Sequence, residues 1–455
     1  MADQTLASLT SQIAALPAVR DVGRVLQVEG ETLHIGGLSA SARLGDRICI
    51  LRAEGPPLHG EVLQMMQGRV VALAYGPLQG VRLGDRVRRE DAATLAPADR
   101  WIGRVIDPFG QPLDGRPLLR GPVARPLRAD PPPPGRRRAM GARLETGMAA
   151  FDTLLPIVRG QRIGLFAGAG VGKSSLLGHL GRRMEADVVI FALIGERGRE
   201  LREFVEKTLG PDGMRRAVVV AATSDQSPLV RRRCAWSAMT VAEHFRDQGR
   251  HVLFLADSVT RFAEAHREVA TTAGELPALR GYPASMAHQI MALCERAGPG
   301  PEGAGDITAL FSVLVAGADM DEPVADTLRG VLDGHVVMDR AIAERGRYPA
   351  IDLLRSVSRS LPDAASAAEN ALIAKARGLL SAYAGSETMI RAGLYAEGSD
   401  PALDQAIRAW PDLDAFLSEK AADGIAGSFD RLGLILRRAG VDLAAKAVPA
   451  ARAES

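Results

Sequence analysis

Residues 167–174 read Ala167-Gly168-Ala169-Gly170-Val171-Gly172-Lys173-Ser174. The apolar run before them, Arg162-Ile163-Gly164-Leu165-Phe166, predicts a buried strand, and Ser175-Leu176-Leu177-Gly178-His179-Leu180 after them predicts the start of a helix. Strand, glycine loop and helix in that order are the context that a phosphate-binding loop requires. The glycines allow successive backbone N–H groups to turn toward one centre and cradle an anion. The helix start adds partial positive charge. Gly168, Ala169, Gly170, Val171, Gly172, Lys173, Ser174 and Ser175 are therefore the candidate nucleotide-binding residues. Lys173 is placed to reach the β- and γ-phosphates, and the Ser174 hydroxyl to ligate Mg²⁺. The loop opens on Ala167 where the consensus has glycine, but its Gly-Lys-Ser end is intact.

Two later runs supply carboxylates. His251-Val252-Leu253-Phe254-Leu255-Ala256-Asp257-Ser258 is an apolar strand ending in an acid. Ligands bind beyond the carboxyl ends of parallel strands, so Asp257 can hold the Mg²⁺ shell. Alone, it would read as a helix cap; paired with Lys173 and Ser174 it reads as a metal residue. Val188–Ile194 followed by Gly195-Glu196-Arg197-Gly198 places Glu196 just past a second strand. Hydrolysis needs a group that orients and polarises the attacking water, and Glu196 is the candidate. Arg197 and Arg261 can place charge near the phosphates or at a subunit interface; the plainer alternative is a surface ion pair.

Composition narrows the class. A chain of 455 residues is too long for one core, so two or three domains are expected. With 47% hydrophobic and 24% charged residues it is an ordinary globular composition, and a net charge of +2 argues for no global attraction to nucleic acid or membrane. Aromatics at 4% are too few for a base-stacking surface. Cys49, Cys234 and Cys294 are odd in number and far apart, which excludes a disulfide framework and shows no metal spacing. No signal peptide or apolar span of membrane length is visible, and a cytoplasmic location is expected.

In chain order, Leu6, Leu9, Ile13 and Leu16 predict a short amphipathic helix over 4–17 that either packs locally or docks a partner. From Val22 to about Arg89, short β-rich runs separated by glycine predict a small antiparallel barrel. Leu44-Gly45-Asp46-Arg47 is echoed by Leu83-Gly84-Asp85-Arg86, each leading into a strand. Trp101–Gly115 reads as a turn-rich crossing segment. The prolines 131–134 stiffen an extended strip whose Arg136-Arg137-Arg138 triplet is expected on solvent or a neighbouring subunit. From about Gly141 to Arg359, strands alternate with helices, which predicts a mostly parallel sheet covered on both faces. Helices are expected at Ala364–Ser381, Pro401–Trp410, Leu413–Ser418 and Ser428–Arg438, with a frayed tail over Ala444–Ser455.

The loop, Gly195-Glu196-Arg197-Gly198-Arg199-Glu200, Leu255–Phe262 and Tyr348-Pro349-Ala350-Ile351-Asp352 together resemble the catalytic-subunit family of rotary ATP synthases. Gly103–Asp107 with Pro112–Gly115 belongs to the same pattern. Arg280-Gly281-Tyr282-Pro283, Leu328–His335 and Gly398–Asp404 bring it nearest to the type III secretion and flagellar protein-export ATPases. The resemblance implies an α/β fold: a RecA-like phosphate-loop ATPase core (92–377), an N-terminal helix and small β-barrel (1–91) and a C-terminal helical domain (378–455). It implies ATP and Mg²⁺ as cofactors and a homo-hexamer with sites at the subunit interfaces. Lys173, Glu196, Arg197 and an arginine finger from the next subunit, matched by Arg359, would be catalytic. Ser174 and Asp257 would hold the metal, and Tyr348 would lie against the adenine. The implied partners are export-apparatus regulator, stalk and gate proteins, export substrates and chaperones. The implied place is the cytoplasmic face of the inner membrane, with peripheral association and no nucleic acid. Flagellar export leads, with injectisome secretion as the alternative. A rotary synthase subunit, a non-hydrolysing ring subunit and a hexameric RNA translocase are less well matched. The chain departs from the pattern at Ala284–Met291, near the expected central pore, and at Val315-Ala316-Gly317-Ala318-Asp319, which is less acidic than usual. Neither stretch holds a phosphate or metal position.

Overall fold

A computed structural model describes residues 10, 13, 19–315 and 320–443. The helix expected over 4–17, the 316–319 part of the second departure and the 444–455 tail lie outside the described residues, apart from Thr10 and Ile13.

The first domain is a closed antiparallel barrel of β1 (Val22–Glu29), β2 (Thr32–Gly36), β3 (Asp46–Leu51), β4 (Leu58–Met66), β5 (Arg69–Ala74) and β6 (Arg86–Ala92). Its strand order is β1-β2-β5-β4-β3-β6, and β6 closes it by pairing with β1. Alternation sends Val25, Leu33, Ile35, Ile48, Ile50, Val62, Val70 and Val87 inward to a core of their own. The two echoed turns share one geometry. The Arg43 amide donates to Asp46 at 2.9 Å and the Arg82 amide to Asp85 at 2.8 Å. Gly45 and Gly84 take φ of 83° and 87°, open only to glycine at little cost. The second turn launches the closing strand.

The crossing segment does more than cross. Beside the small pair β7 (Thr94–Leu95) and β9 (Arg125–Pro126), it contributes β8 (Arg104–Ile106), the edge of the central sheet. Arg104 grips Asp114 through two bonds of 2.6 and 2.7 Å and folds the intervening turn onto that edge. The arginine triplet meets its expectation in part. Arg136 and Arg138 are exposed, although Arg138 also pairs with Asp306 at 2.6 Å, whereas Arg137 is half-buried and donates to the Ala297 carbonyl at 3.2 Å. The prolines carry no N–H to bind the sheet with, so these guanidiniums fasten the strip to the chain itself.

The central sheet holds β10 (Arg162–Ala167), β11 (Val188–Glu196), β12 (Ala217–Thr223), β13 (Val252–Asp257), β14 (Gly298–Pro299), β15 (Asp306–Leu314), β16 (Gly334–Met338) and β17 (Ile351–Ser358). Its order is β17-β16-β10-β15-β13-β11-β12-β8, with β14 beside β15. The strands run parallel except for β17 and β14. Period-two alternation divides them between two cores. Ile163, Leu165, Phe191, Leu193, Leu253 and Leu255 face the Lys173–Arg183 helix. Ile190, Ala192, Phe254, Phe311 and Val313 face the helices Pro228–Asp247, Val259–Thr272 and Ser285–Glu295. The departure at Ala284–Met291 thus opens a helix, whose Met286 and Ile290 are buried.

Three helices follow, Ala367–Arg391, Pro401–Phe416 and Gly424–Arg438. The first is started by a capping box between Ser366 and Glu369. The two helices expected around Pro411 are one, with Pro411 inside it. Proline removes one ladder bond there, and the full burial of Leu413 and Phe416 holds both halves on a single axis. All three cysteines are buried and free.

Arg232, 5% exposed, joins the barrel to the central-sheet domain. Its guanidinium lies 3.2 Å from Glu61 on β4 and 5.0 Å over the Trp236 ring. Burial lowers its pKa to about 10, so the guanidinium stays charged at neutral pH. Arg232→Ala should destabilise the chain by about 3 kcal/mol, because Glu61 is left buried with only the half-exposed Arg128, 3.2 Å away, to compensate it. Arg232→Met combined with Glu61→Gln should recover most of that loss. Urea unfolding of the full chain, followed by barrel and core probes separately, checks both.

Candidate active site

The carboxyl ends of β10, β13 and β11 lie side by side, which is where open α/β sheets bind ligands. The loop leaves β10 at Ala167. Gly170 and Gly172 take φ of 79° and 87°, and Gly172 is the residue before the Lys173–Arg183 helix. A Cβ at either position would be strained, so these glycines are required for the loop to fold back over the helix start.

Asp257 ends β13 with its side chain 5% exposed, and Lys173 contacts its Oδ1 directly. The Ser312 hydroxyl donates to the same oxygen at 2.8 Å from the intervening strand β15. Ser312 escaped the sequence reasoning; the signal was a hydroxyl in an otherwise apolar buried strand.

Glu196 is the last residue of β11 rather than a residue beyond it. Strict alternation from Phe191 and Leu193 would put position 196 on the far side of the sheet from Lys173. The pairing register shifts between Ile194 and Glu196, and Gly195 takes φ of 70°. This bulge inserts one residue and returns Glu196 to the face of the loop. Burial first, then the Asp257 charge and a hydrogen bond with Glu200, push its carboxyl up to about 7, against the pull of Lys173. A carboxyl poised there suits proton transfer at neutral pH.

These groups line an open cleft of about 670 Å³ that includes Gly170, Lys173, Ser174, Glu196, Arg197 and Arg261. A second pocket of about 330 Å³ shares Ser174, Glu196 and Asp257 and is closed by Phe204 and Thr208 from a π-helical turn, Phe204–Leu209. The donors converging here are a hydroxyl and carboxylates, hard oxygen ligands of the kind Mg²⁺ takes. Arg197 is 81% exposed and 3.3 Å from Glu200. Arg261 pairs with Glu264 at 3.0 Å. Tyr348, half exposed, lies against the loop: a Cβ added at Gly172 would be 3.1 Å from its ring.

Arg359 is not brought to this cleft. β16 runs parallel to β10 and antiparallel to β17, with Ala167 level with Met338 and Ile351, and Gly334 level with Ser358. The Asp333 carbonyl accepts from the Arg359 amide at 3.0 Å, and its carboxylate holds Arg162 at the start of β10. Arg359 is therefore five strand residues, roughly 16 Å, from the loop end of β10.

One further cluster lies in the barrel, where Cys49, His59 and Glu90 bring ligand atoms within 4.8 Å of one another. Pairing of three adjacent strands makes it, which spacing in sequence did not reveal. Its carboxylate is already neutralised by Arg47 at 3.1 Å and Arg88 at 3.2 Å.

Comparison with known proteins covers every domain. Residues 18–91 match the beta-barrel domain of the ATP synthase alpha/beta family, 147–358 its nucleotide-binding domain and 365–426 the T3SS EscN ATPase C-terminal domain. The flagellum-specific ATP synthase of Caulobacter vibrioides is 45% identical over 439 residues, covering 94% of this chain and 99% of the relative. That of Salmonella typhimurium is 42% identical over 427 residues, covering 91% and 93%. The assembled ATPase EscN, solved in complex with its central stalk EscO from the enteropathogenic E. coli type III secretion system, superposes with a TM-score of 0.83. It is 34% identical, and the match covers 91% of this chain and all of that one. With its barrel, its nucleotide-binding domain and its helical C-terminal domain each matched, and flagellar relatives aligned over more than nine-tenths of its length, this chain belongs to the ATP synthase alpha/beta family, in its flagellum-specific branch, and is an ATPase.

Proposed function

We propose that this ATPase hydrolyses ATP to energise protein export through a flagellar type III secretion apparatus, and that it works as a ring in which each site is finished by the next copy. The observation that carries the ring is the position of Arg359. It sits at the opposite end of β10 from Lys173, too far for an arginine side chain to reach its own loop. A copy that turns this edge toward its neighbour's cleft presents the guanidinium where charge builds on the γ-phosphoryl.

Within one cleft the roles divide by chemistry. The loop amides, the helix start and Lys173 bind the phosphates. Ser174 and Asp257 would hold Mg²⁺, which when bound neutralises phosphate charge and fixes the geometry. Ser312 orients Asp257 through its hydrogen bond. Glu196, unprotonated, accepts a hydrogen bond from the attacking water and draws off its proton. Arg197 adds positive charge at the mouth, and the Tyr348 ring lies against adenine. The domain division at residues 91 and 377 belongs to the same proposal: the barrel ends at Ala92, and the Ala367–Arg391 helix carries the chain into the last domain.

A homo-hexamer is the assembly proposed, with a stalk in its centre, as the stalk-bound EscN suggests by likeness. Regulator and gate proteins, export substrates and chaperones complete the partner set. The proposed location is cytoplasmic, against the inner membrane; among the described residues no helix is long and apolar enough to cross one. Identity of 45% to a flagellar relative against 34% to the injectisome ATPase favours the flagellar system. The RNA translocase has little support from the barrel, where Tyr75, at its rim, is the one aromatic residue of 20–92.

Glu196→Gln should bind ATP as the wild type does and lose at least about 10²-fold in kcat. Retained turnover would remove Glu196 from the chemistry. Arg359→Ala should still assemble and lose activity, as should Lys173→Ala. Mixed rings of the two should recover part of it, since some interfaces then pair an intact loop with an intact finger. Failure of every mixing ratio to recover activity would count against delivery in trans.

A further inference from the structure

The turn that carries Tyr348 is fastened from behind. Arg347, 9% exposed, donates to the Pro349 carbonyl at 3.3 Å and to the Ile351 carbonyl at 2.8 Å. One guanidinium thus ties down the backbone just beyond Tyr348. Its Nε lies 3.0 Å from Asp414 on the Pro401–Phe416 helix, outside the ATPase core. The surrounding wall is also C-terminal. Arg345 lies 3.9 Å from Glu387 and 5.9 Å over the Trp410 ring, and Trp410 stacks on Tyr383 with centroids 4.6 Å apart.

We infer that Arg347 is a positioning residue for the adenine contact, and that its ion pair with Asp414 lets the C-terminal helical domain set the affinity for the nucleotide base. This rests on the adenine role proposed for Tyr348. A buried guanidinium is stable only while its charge and donors are matched. Here the match is divided between two carbonyls of the Tyr348 turn and one carboxylate of the C-terminal domain. If the Pro401–Phe416 helix shifts, Asp414 moves with it, and the guanidinium must either follow, dragging the turn, or remain buried and unpaired. The Tyr348 ring packs on Gly172, so its place beside the nucleotide depends on that turn. The phosphate contacts come from a different element, the loop and helix after β10, and do not pass through Arg347. Loss of the Arg347–Asp414 pair alone, with the packing of the Pro401–Phe416 helix kept, would then loosen the base while leaving the triphosphate grip intact.

The test compares two ligands on the full-length protein, MgATP and magnesium tripolyphosphate, which has the phosphate chain and no base. Calorimetry gives both affinities, and steady-state kinetics gives KM and kcat for ATP. Asp414→Asn keeps the shape of a partly exposed side chain and removes its charge. It should weaken ATP binding and raise KM by roughly tenfold, the scale of one aromatic contact, while tripolyphosphate affinity and kcat hold within about twofold. Arg347→Met should do the same, and Arg347→Lys should fall between. Tyr348→Ala supplies the reference, and Tyr348→Ala with Asp414→Asn should be no weaker than Tyr348→Ala alone. If Asp414→Asn binds ATP like the wild type while Tyr348→Ala does not, the inference fails and the adenine role stands. If tripolyphosphate weakens as much as ATP, the pair supports the whole site and the inference also fails. If Tyr348→Ala leaves the ATP-to-tripolyphosphate ratio unchanged, the adenine role falls and takes the inference with it.

Discussion

The contact between the Lys173 ammonium and the Asp257 carboxylate ties the nucleotide loop to the rest of the sheet. It spans β10 and β13, with β15 between them, so it demands that three strands keep one register. They do: Leu165 is level with Ser312, and Ala256 with Phe311. Ser312 completes the link by donating to Asp257. A one-residue slip of β13 would turn Asp257 to the opposite face, away from Lys173 and into the second core. The long apolar stretches of these strands are therefore more than a buried core. Their fit fixes which acid meets which lysine.

The same register rule shows how much of the site was legible in the sequence. The loop was, because its glycines, lysine and serine are contiguous and its function requires contiguity. Asp257 was, because a lone acid at the end of an apolar run is a strong signal. Glu196 was expected just past its strand and is the last residue of it, and the reason it faces the cleft was hidden. Alternation would have sent it to the wrong side, and the bulge at Gly195 is made by pairing with β12, a partner outside the motif. Ser312 and Arg347 were invisible for a related reason, since each acts on a residue distant in sequence. In the fold, the barrel and the parallel core followed from patterning. The strand Arg104–Ile106 did not, because three residues in a turn-rich stretch have no period to read. Pro411 misled in the other direction: a local rule ended a helix that buried Leu413 and Phe416 continue.

Position also separates the residues proposed for one site into those that a single copy brings together and one that it does not. Lys173, Ser174, Glu196 and Asp257 converge at one end of the sheet, and Arg359 stands at the other beside Asp333. The antiparallel return of β17 produces that separation, because it reverses the direction of every parallel strand before it. Under the role proposed for Arg359, the two ends must come from two copies, and turnover becomes a property of the assembly.

The two outer domains meet the core in physically different ways, and this bears on which of them can transmit motion. The barrel has its own apolar interior and meets the core through a small patch, where Leu73 packs with Leu229 and Val269 and Glu61 pairs with Arg232. The C-terminal helices have no separate interior. Ile373, Leu413, Phe416, Leu432 and Ile435 belong to the same cluster as Leu176, Leu177 and Leu180 of the helix that begins at Lys173. Close-packed interiors transmit displacement, and the wide contact of the C-terminal helices transmits more than the small patch under the barrel. A force applied to the C-terminal helices is thus felt at the back of the phosphate helix and, through Asp414, at the Tyr348 turn. A force on the barrel enters the core through Leu229 and Arg232 on the Pro228–Asp247 helix and Val269 on the Val259–Thr272 helix. Of the two outer domains, the C-terminal helices are the more widely packed on the core and so the more tightly coupled to it.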